Sequence, residues 1–195
     1  MTSPGRGVAA ALALLVVGGC ASAPAPSPDA VSAARERARA AADALFARLS
    51  GELAAAMQSG GPPAAVAVCR DRAPAIAAEI EAETGVDIER TAIRVRNPAN
   101  APDAWEREAM ARFEQRREAG EAWSAMEVAQ VETGTLRWMR PIAMGPMCVA
   151  CHGGAEVAAE TAQAIAAAYP QDAARGFAPG QLRGAFTARA PLDVP

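Results

Sequence analysis

Apolar residues in the first half of the chain repeat at helical spacing. Four of them recur at every fourth position and therefore share one helix face: Leu45, Leu49, Leu53 and Met57. A long helix is predicted from Asp29, which can cap it, to about Gln58, before the Gly-Gly-Pro-Pro run at 60–63. A second helix is predicted over 64–84. It should break at Pro74, because proline removes an internal hydrogen bond.

The pattern then changes to a period of two, which is typical of half-buried strands. Four segments are predicted as strands: 87–96, 121–132, 135–142 and 182–189. The dipeptide at 133–134 predicts a hairpin turn between the middle two. Two more helices are predicted, one over 103–119, where Asp103 and Glu106 can form a reciprocal cap, and one over 156–169. This order predicts an α+β fold, with an antiparallel sheet flanked by helices and a long N-terminal helix.

The N-terminus has the features of an export signal. Arg6 precedes an apolar run over 8–17, and this run is too short to span a bilayer as a mature helix. The small residues before Cys20 resemble the bacterial lipoprotein box, in which the cysteine is acylated after cleavage. Ordinary cleavage after 21–23 is the alternative, and it would also export the chain. We predict a lipoprotein signal peptide over 1–19 and lipidation at Cys20.

The remaining chain divides into a tether and one domain. Residues 20–28 are rich in proline and should form a semi-rigid tether, and residues 29–195 are enough for a single domain. A lipid on Cys20 would anchor the protein to the membrane on the periplasmic side of the bacterial envelope. The net charge of -3 gives no reason to expect a nucleic-acid partner.

The strongest chemical signal is Cys148-Val149-Ala150-Cys151-His152, because C-x-x-C-H is the attachment pattern of a covalent c-type haem. The thiols of Cys148 and Cys151 would form thioethers with the haem vinyl groups, and His152 would be the proximal iron ligand. A redox dithiol, a zinc site and a disulfide are alternatives. No thioredoxin-like strand precedes the motif, a zinc site needs about four ligands, and a disulfide would leave His152 without a role. One haem c is therefore the predicted cofactor.

The ligand on the other side of the iron is less constrained by composition. His152 is the only histidine, and all 19 basic residues are arginine, so neither a second histidine nor a lysine can serve. Several methionines are candidates, and each would be unremarkable in a core. Cys69 is the one thiol left once Cys20 and the motif pair are assigned. It is either a distal ligand or a buried free cysteine.

Several segments resemble a family of PAS-like single-haem c-type cytochromes, long catalogued as a domain of unknown function. These segments are Cys69–Ala77, Ile93–Pro102, Trp138–Ile142, Cys148–Gly153, Tyr169-Pro170 and Leu182–Phe186. The similarity extends over about residues 31–190 in the same order, with Arg140 where a lysine is expected. The resemblance implies a PAS-like domain in which Cys69 is the axial ligand opposite His152. It also implies occurrence as stand-alone exported proteins and as input domains of signalling receptors.

The expected function is therefore a redox role, either electron transfer or redox and gas sensing through a Cys/His-ligated haem. The redox or signalling partner is unknown, and a sensor of this length would have to signal through a separate protein. Alternatives are a haem peroxidase-like enzyme and a purely structural, partner-binding lipoprotein. A peroxidase would need an open distal site with a general base, so we expect a protein that is not an enzyme and has no catalytic residues.

Overall fold

A computed structural model describes residues 1–2 and 25–192 of the chain. The predicted signal peptide beyond its first two residues, the lipidation site Cys20 and the first part of the tether lie outside the described residues. Within the described part, no helix is both long enough and apolar enough to traverse a lipid bilayer.

The N-terminal helix is interrupted where the sequence predicts its end. Helix α1 runs over Pro28–Ala67, but Gly61, with a φ of 67° and a ψ of -167°, is not helical and separates two helical segments. The Gly-Gly-Pro-Pro run thus ends the first segment, and the second continues to Ala67. The N-cap of α1 is Ser27, whose hydroxyl accepts the amide proton of Ala30 at 3.1 Å, and not Asp29. Leu45 and Leu49 of the predicted apolar stripe are buried, which confirms that this face of the helix packs into the core.

The predicted break at Pro74 is absent. One turn of π-helix, Val68–Arg72, continues α1 and leads directly into helix α2, Ala73–Thr84. Pro74 lies at the start of α2, directly after the wide π-helical turn, which accommodates a residue that has no amide proton to donate. Gly85, with a φ of 68°, then ends α2 in the left-handed conformation.

Four antiparallel strands form one sheet in the order β1-β4-β3-β2. Their bounds are Asp87–Thr91 for β1, Val128–Glu132 for β2, Thr135–Ala143 for β3 and Leu182–Pro191 for β4. The hairpin between β2 and β3 turns at Gly134, whose φ is 69°. The α+β prediction is confirmed, since the antiparallel sheet is flanked by helices and preceded by the long α1.

Two predicted strands are shorter than expected. The chain leaves the sheet after Thr91, because the amide of Ala92 donates to the carbonyl of Asn100 rather than to a neighbouring strand. The alternating residues that follow therefore have no sheet to join, and Ile93 is 59 % exposed. Before β2, residues 121–127 include a 3-10 turn at Trp123–Ala125 instead of strand.

The other helices connect the strands. Helix α3 runs over Ala104–Glu118 and begins with the predicted capping box of Asp103 and Glu106. The four-residue helix α4, Val149–His152, follows a 3-10 turn at Pro146–Cys148. Helix α5 runs over Ala159–Ala168. Another 3-10 turn, Pro98–Asn100, precedes α3.

The sheet buries both of its faces. Helices α1 and α2 cover one face, and α3 covers the other with a smaller cluster that contains Met110 and Phe113. Neighbouring residues of β3 divide between the two sides, as strand geometry requires: Trp138 packs in the α1 cluster and Met139 in the α3 cluster. The motif helix α4 lies after the end of β3, outside both clusters.

Candidate cofactor site

The two motif cysteines lie on a single short turn. Cys148 ends the 3-10 turn, and Cys151 lies in α4 directly before His152. Cys148 packs beside Phe177 in one small apolar cluster, and Cys151 packs beside Tyr169 in another. Both are half-buried and unbridged, as is Cys69. The two thiols and the imidazole thus lie on one short turn.

His152 is held in one orientation. Its Nδ1 lies 2.9 Å from the carbonyl oxygen of Ala174, and a carbonyl can only accept, so Nδ1 carries the proton and Nε2 is left with its lone pair. The Phe177 ring meets the imidazole edge-on at 6.3 Å. Burial, with the positive charges of Arg183 and Arg96, lowers the pKa of His152 to about 3. The imidazole is therefore neutral over the physiological range and suited to bind a metal through Nε2.

A buried ion pair between Arg96 and Asp172 supports the position of His152. The Arg96 guanidinium donates from Nε to Asp172 at 3.1 Å and from Nη2 to the carbonyls of Cys151 at 2.6 Å and Ala174 at 3.2 Å. The side chains of Arg96 and Asp172 are 8 % and 1 % exposed. Arg96 thus fastens α4 to the loop that carries the acceptor for His152.

Backbone hydrogen bonds fix the same loop, residues 170–177. The amide of Phe177 donates to the carbonyl of His152 at 2.9 Å, and the amide of Gly176 donates to that of Gly153 at 2.7 Å. Burial alone would raise the pKa of Asp172, but hydrogen bonds from Arg96, Arg175 and the Ala174 amide outweigh it and hold the pKa below its usual value. Asp172 therefore stays ionised and keeps its partners.

The sequence did not identify this support. Arg96 falls at the end of the segment predicted as a strand over 87–96, and nothing singled out either Arg96 or Asp172. The two are 76 positions apart in the chain, and no local pattern links them. The only available signal was a polar residue in the short loop after α5, which predicts no partner by itself.

Cys69 lies on the π-helical turn between α1 and α2 and is half-buried. About one turn earlier in the chain, Val66 packs in the cluster that contains Tyr169 and Cys151. Burial raises the pKa of Cys151 and also raises that of Tyr169, to about 12. The fold thus brings the helical segment that carries Cys69 to the motif, which lies about 80 residues further along the chain.

The methionines have different surroundings. Three of them pack in the α3 cluster on the far face of the sheet: Met110, Met126 and Met139. Met144 packs in the cluster of Phe177 and Cys148, close to the motif, whereas Met147 is 65 % exposed. Met144 is therefore the methionine to compare with Cys69 as a candidate iron ligand.

A cavity of about 420 Å³ adjoins Cys151, with Gly153, Val157 and Ile165 among its lining residues. Position 153 has no room for a side chain, since a Cβ there would lie 2.6 Å from the carbonyl oxygen of Val149. Among the residues described, no group of three or more His, Cys, Asp or Glu side chains is placed to hold a bare metal ion. Of the four candidate haem-binding side chains, that of Cys151 lines this cavity. Thiols and an oriented neutral imidazole are donor groups that suit a haem iron and its attachment.

Comparison with known proteins bears on the family and on the fold. A family model described as Tll0287-like matches residues 29–191. The chain is also similar to a solved structure titled as that of the cyanobacterial heme-protein Tll0287, at a TM-score of 0.60 and 24% identity. That similarity covers 85% of this chain and 96% of the other, and it supports the fold. No curated protein matches the chain.

Proposed function

Since the chain belongs to the Tll0287-like family, we propose that it is an exported single-haem c-type cytochrome with a redox role. One observation carries the proposal: the imidazole of His152 is fixed through Nδ1 with Nε2 left free, directly beside the two thiols of Cys148 and Cys151. The heme-protein title of the similar structure supports the same cofactor.

Four side chains would hold the haem. The thiols of Cys148 and Cys151 would attach it through thioethers, His152 would bind the iron through Nε2, and Cys69 would bind it from the other side. The bound group supplies a one-electron couple between ferric and ferrous iron. The chain's own contribution is to orient the imidazole through Ala174 and to keep it neutral through burial.

Two features support Cys69 as the distal ligand. It lies on a π-helical turn, and such turns are rare and occur frequently at functional sites. The helical segment that carries it also packs at the motif, since Val66 lies in one cluster with Cys151 and Tyr169. A thiolate stabilises the ferric state, so we expect a lower reduction potential than that of a His/Met cytochrome.

The proposed role is one-electron transfer to or from a partner protein outside the cytoplasm. Redox or gas sensing is the second candidate, and the π-turn at 68–72 favours it, because this turn can return to α-helical geometry if Cys69 leaves the metal. Carbon monoxide binding by the ferrous protein would support sensing, whereas a ferrous protein that stays six-coordinate and binds no carbon monoxide would support electron transfer.

The proposal also states where the protein is located and that it is not an enzyme. We infer a lipid anchor at Cys20 after removal of residues 1–19, on the periplasmic side of the membrane, and no nucleic-acid partner. Peroxidase-like catalysis is not proposed, because Cys69 would fill the distal position and His152 is the only histidine. Mass spectrometry of the mature N-terminus checks the anchor, and peroxide turnover by the purified protein would contradict the non-enzymatic role.

The central experiment is low-temperature EPR of the ferric protein beside its Cys69→Ala variant. We expect a low-spin thiolate signal that disappears in the variant. The matched control is Met144→Leu, which changes the buried methionine in the cluster that contacts Cys148 and should retain the signal. A thiolate signal that persists in Cys69→Ala would exclude Cys69 as the ligand. A colourless wild-type protein from cells competent in cytochrome maturation would refute the haem proposal itself.

A further inference from the structure

Positive charge exceeds negative charge around His152. Arg94 and Arg183 lie over the Phe177 ring, which meets the His152 imidazole edge-on. Arg96 donates to the carbonyl of Ala174, which also accepts from Nδ1 of His152, and Asp172 is the carboxylate paired with Arg96 there. Asp172 is already bound by Arg96 and Arg175. Within residues 25–192, neither Arg94 nor Arg183 forms an ion pair with a carboxylate; each donates instead to a backbone carbonyl.

Arg183 is the most unusual of these residues. Its Nη1 donates to the carbonyl of Arg94 at 3.3 Å, whereas its Nε is fully buried and has no hydrogen-bond partner. Two other arginines have a buried, unpaired Nε, but Arg137 forms ion pairs through its other nitrogens and Arg37 donates to a carbonyl at the far end of the sheet. A buried donor without a partner is costly, and a guanidinium edge suits a bidentate anion.

The position of Arg183 relates it to the proposed cofactor. Its guanidinium carbon lies 5.5 Å from the centre of the Phe177 ring, and that of Arg94 lies 3.4 Å from the same centre. The Phe177 ring in turn meets the imidazole of His152 edge-on. Arg183 therefore lies beside the ring that packs against the proposed proximal ligand.

We propose that Arg183, assisted by Arg94, binds the propionate carboxylates of the haem. This inference rests on the proposed function. The open edge of Arg183, formed by Nε and Nη2, pairs with one carboxylate, and the more exposed Arg94 contributes charge at the rim. Arg96 and Arg140 are not part of this site, because Asp172 engages the first and Asp43 the second.

The test compares the holoprotein with Arg183→Gln, Arg183→Lys and Arg94→Gln. Covalent haem is first measured as the pyridine haemochrome, and resonance Raman spectra then report the propionate bending band. We expect Arg183→Gln to keep its haem, to shift the band to lower frequency and to lower the midpoint potential, since loss of a nearby cation favours ferric iron. Arg183→Lys should restore part of both changes. Arg94→Gln should give a smaller shift in the same direction, and it serves as the test if Arg183→Gln does not fold.

The matched control is Arg140→Gln, which removes one positive charge from the α1 side of β3. It should leave the propionate band unchanged. An unchanged band in both Arg183→Gln and Arg94→Gln, or an equal shift in Arg140→Gln, overturns the inference. So does a wild-type band that changes when inorganic phosphate is added or removed, because the site would then bind a free anion. A wild-type protein without haem would instead refute the proposed function.

Discussion

The ion pair between Arg96 and Asp172 should be the most important single polar contact for the motif region. It is almost fully buried, and Arg96 also binds the carbonyls of Cys151 and Ala174. Arg96→Met removes the charge while keeping much of the apolar volume, so Asp172 is left buried with fewer partners. The substitution therefore tests the charge rather than the packing.

The expected decrease in the free energy of unfolding depends on the hydrogen bonds that Asp172 keeps. Breaking a buried pair by removing one partner costs about 3–5 kcal/mol. Arg175 and the amide of Ala174 still bind Asp172 at 2.7 Å and 3.0 Å, so we expect about 3 kcal/mol, at the low end of the range. Because the folded-state pKa of Asp172 is depressed, this stabilisation is present above the unfolded pKa and is lost as the pH falls through the folded one.

Urea unfolding of the holoprotein, followed by far-UV circular dichroism at pH 7, measures this loss. Arg48→Met is the matched control, because Arg48 also binds a carboxylate through two nitrogens, that of Glu83, but on the surface. The control should show no resolvable change. The double variant Arg96→Met/Asp172→Leu should recover part of the loss, since no unpaired charge is then buried. A loss below about 1 kcal/mol in Arg96→Met, or an equal loss in Arg48→Met, would refute the reasoning.

Two further predictions concern acid stability and the turn after the motif. Burial would raise the pKa of Glu127, yet hydrogen bonds from two arginines and the Trp138 indole hold it at about 2, below its ordinary 4.5. Wild-type stability should therefore fall as the pH drops from 4.5 towards 2, and Glu127→Gln should lose about 1–2 kcal/mol at pH 7 but respond less to acid in thermal unfolding. Gly153→Ala should lower the yield of haem-loaded protein and destabilise it by about 1–3 kcal/mol, because its Cβ would meet the Val149 carbonyl. Gly51→Ala, where a Cβ meets nothing within 4 Å, should be neutral or slightly stabilising, and a similar loss in both variants would contradict the argument.

Local patterns predicted the elements whose determinants are close together in the chain. The reciprocal cap of Asp103 and Glu106 and the turn at Gly134 were both predicted correctly. Each depends on residues within a few positions, so the sequence contains the whole determinant. Predictions from local patterns were wrong where the secondary structure depends on a residue far away in the chain. The segment after Thr91 alternates as a strand should, but its amide at Ala92 meets the Asn100 carbonyl and no further strand lies beside it.

Local sequence patterns also failed to predict the π-helical turn at Val68–Arg72. Proline at position 74 predicted a break, whereas the chain stays helical and takes up the irregularity as one wide turn that carries Cys69. Whether a helix breaks or widens depends on what packs against it, and here α2 is fixed against the sheet by Ile76 and Ile80. Propensity alone cannot decide between these outcomes.

Periodicity and the C-x-x-C-H spacing are local properties, so the order of amino acids was enough to predict the α+β class, the long N-terminal helix and the candidate ligands. How those ligands are supported depends on the folded chain. It brought Arg96 to Asp172, aimed His152 at the carbonyl of Ala174 and left the Nε of Arg183 buried without a partner. Each of these relations joins residues more than 20 positions apart or depends on burial, and burial is set by the packing of the whole chain.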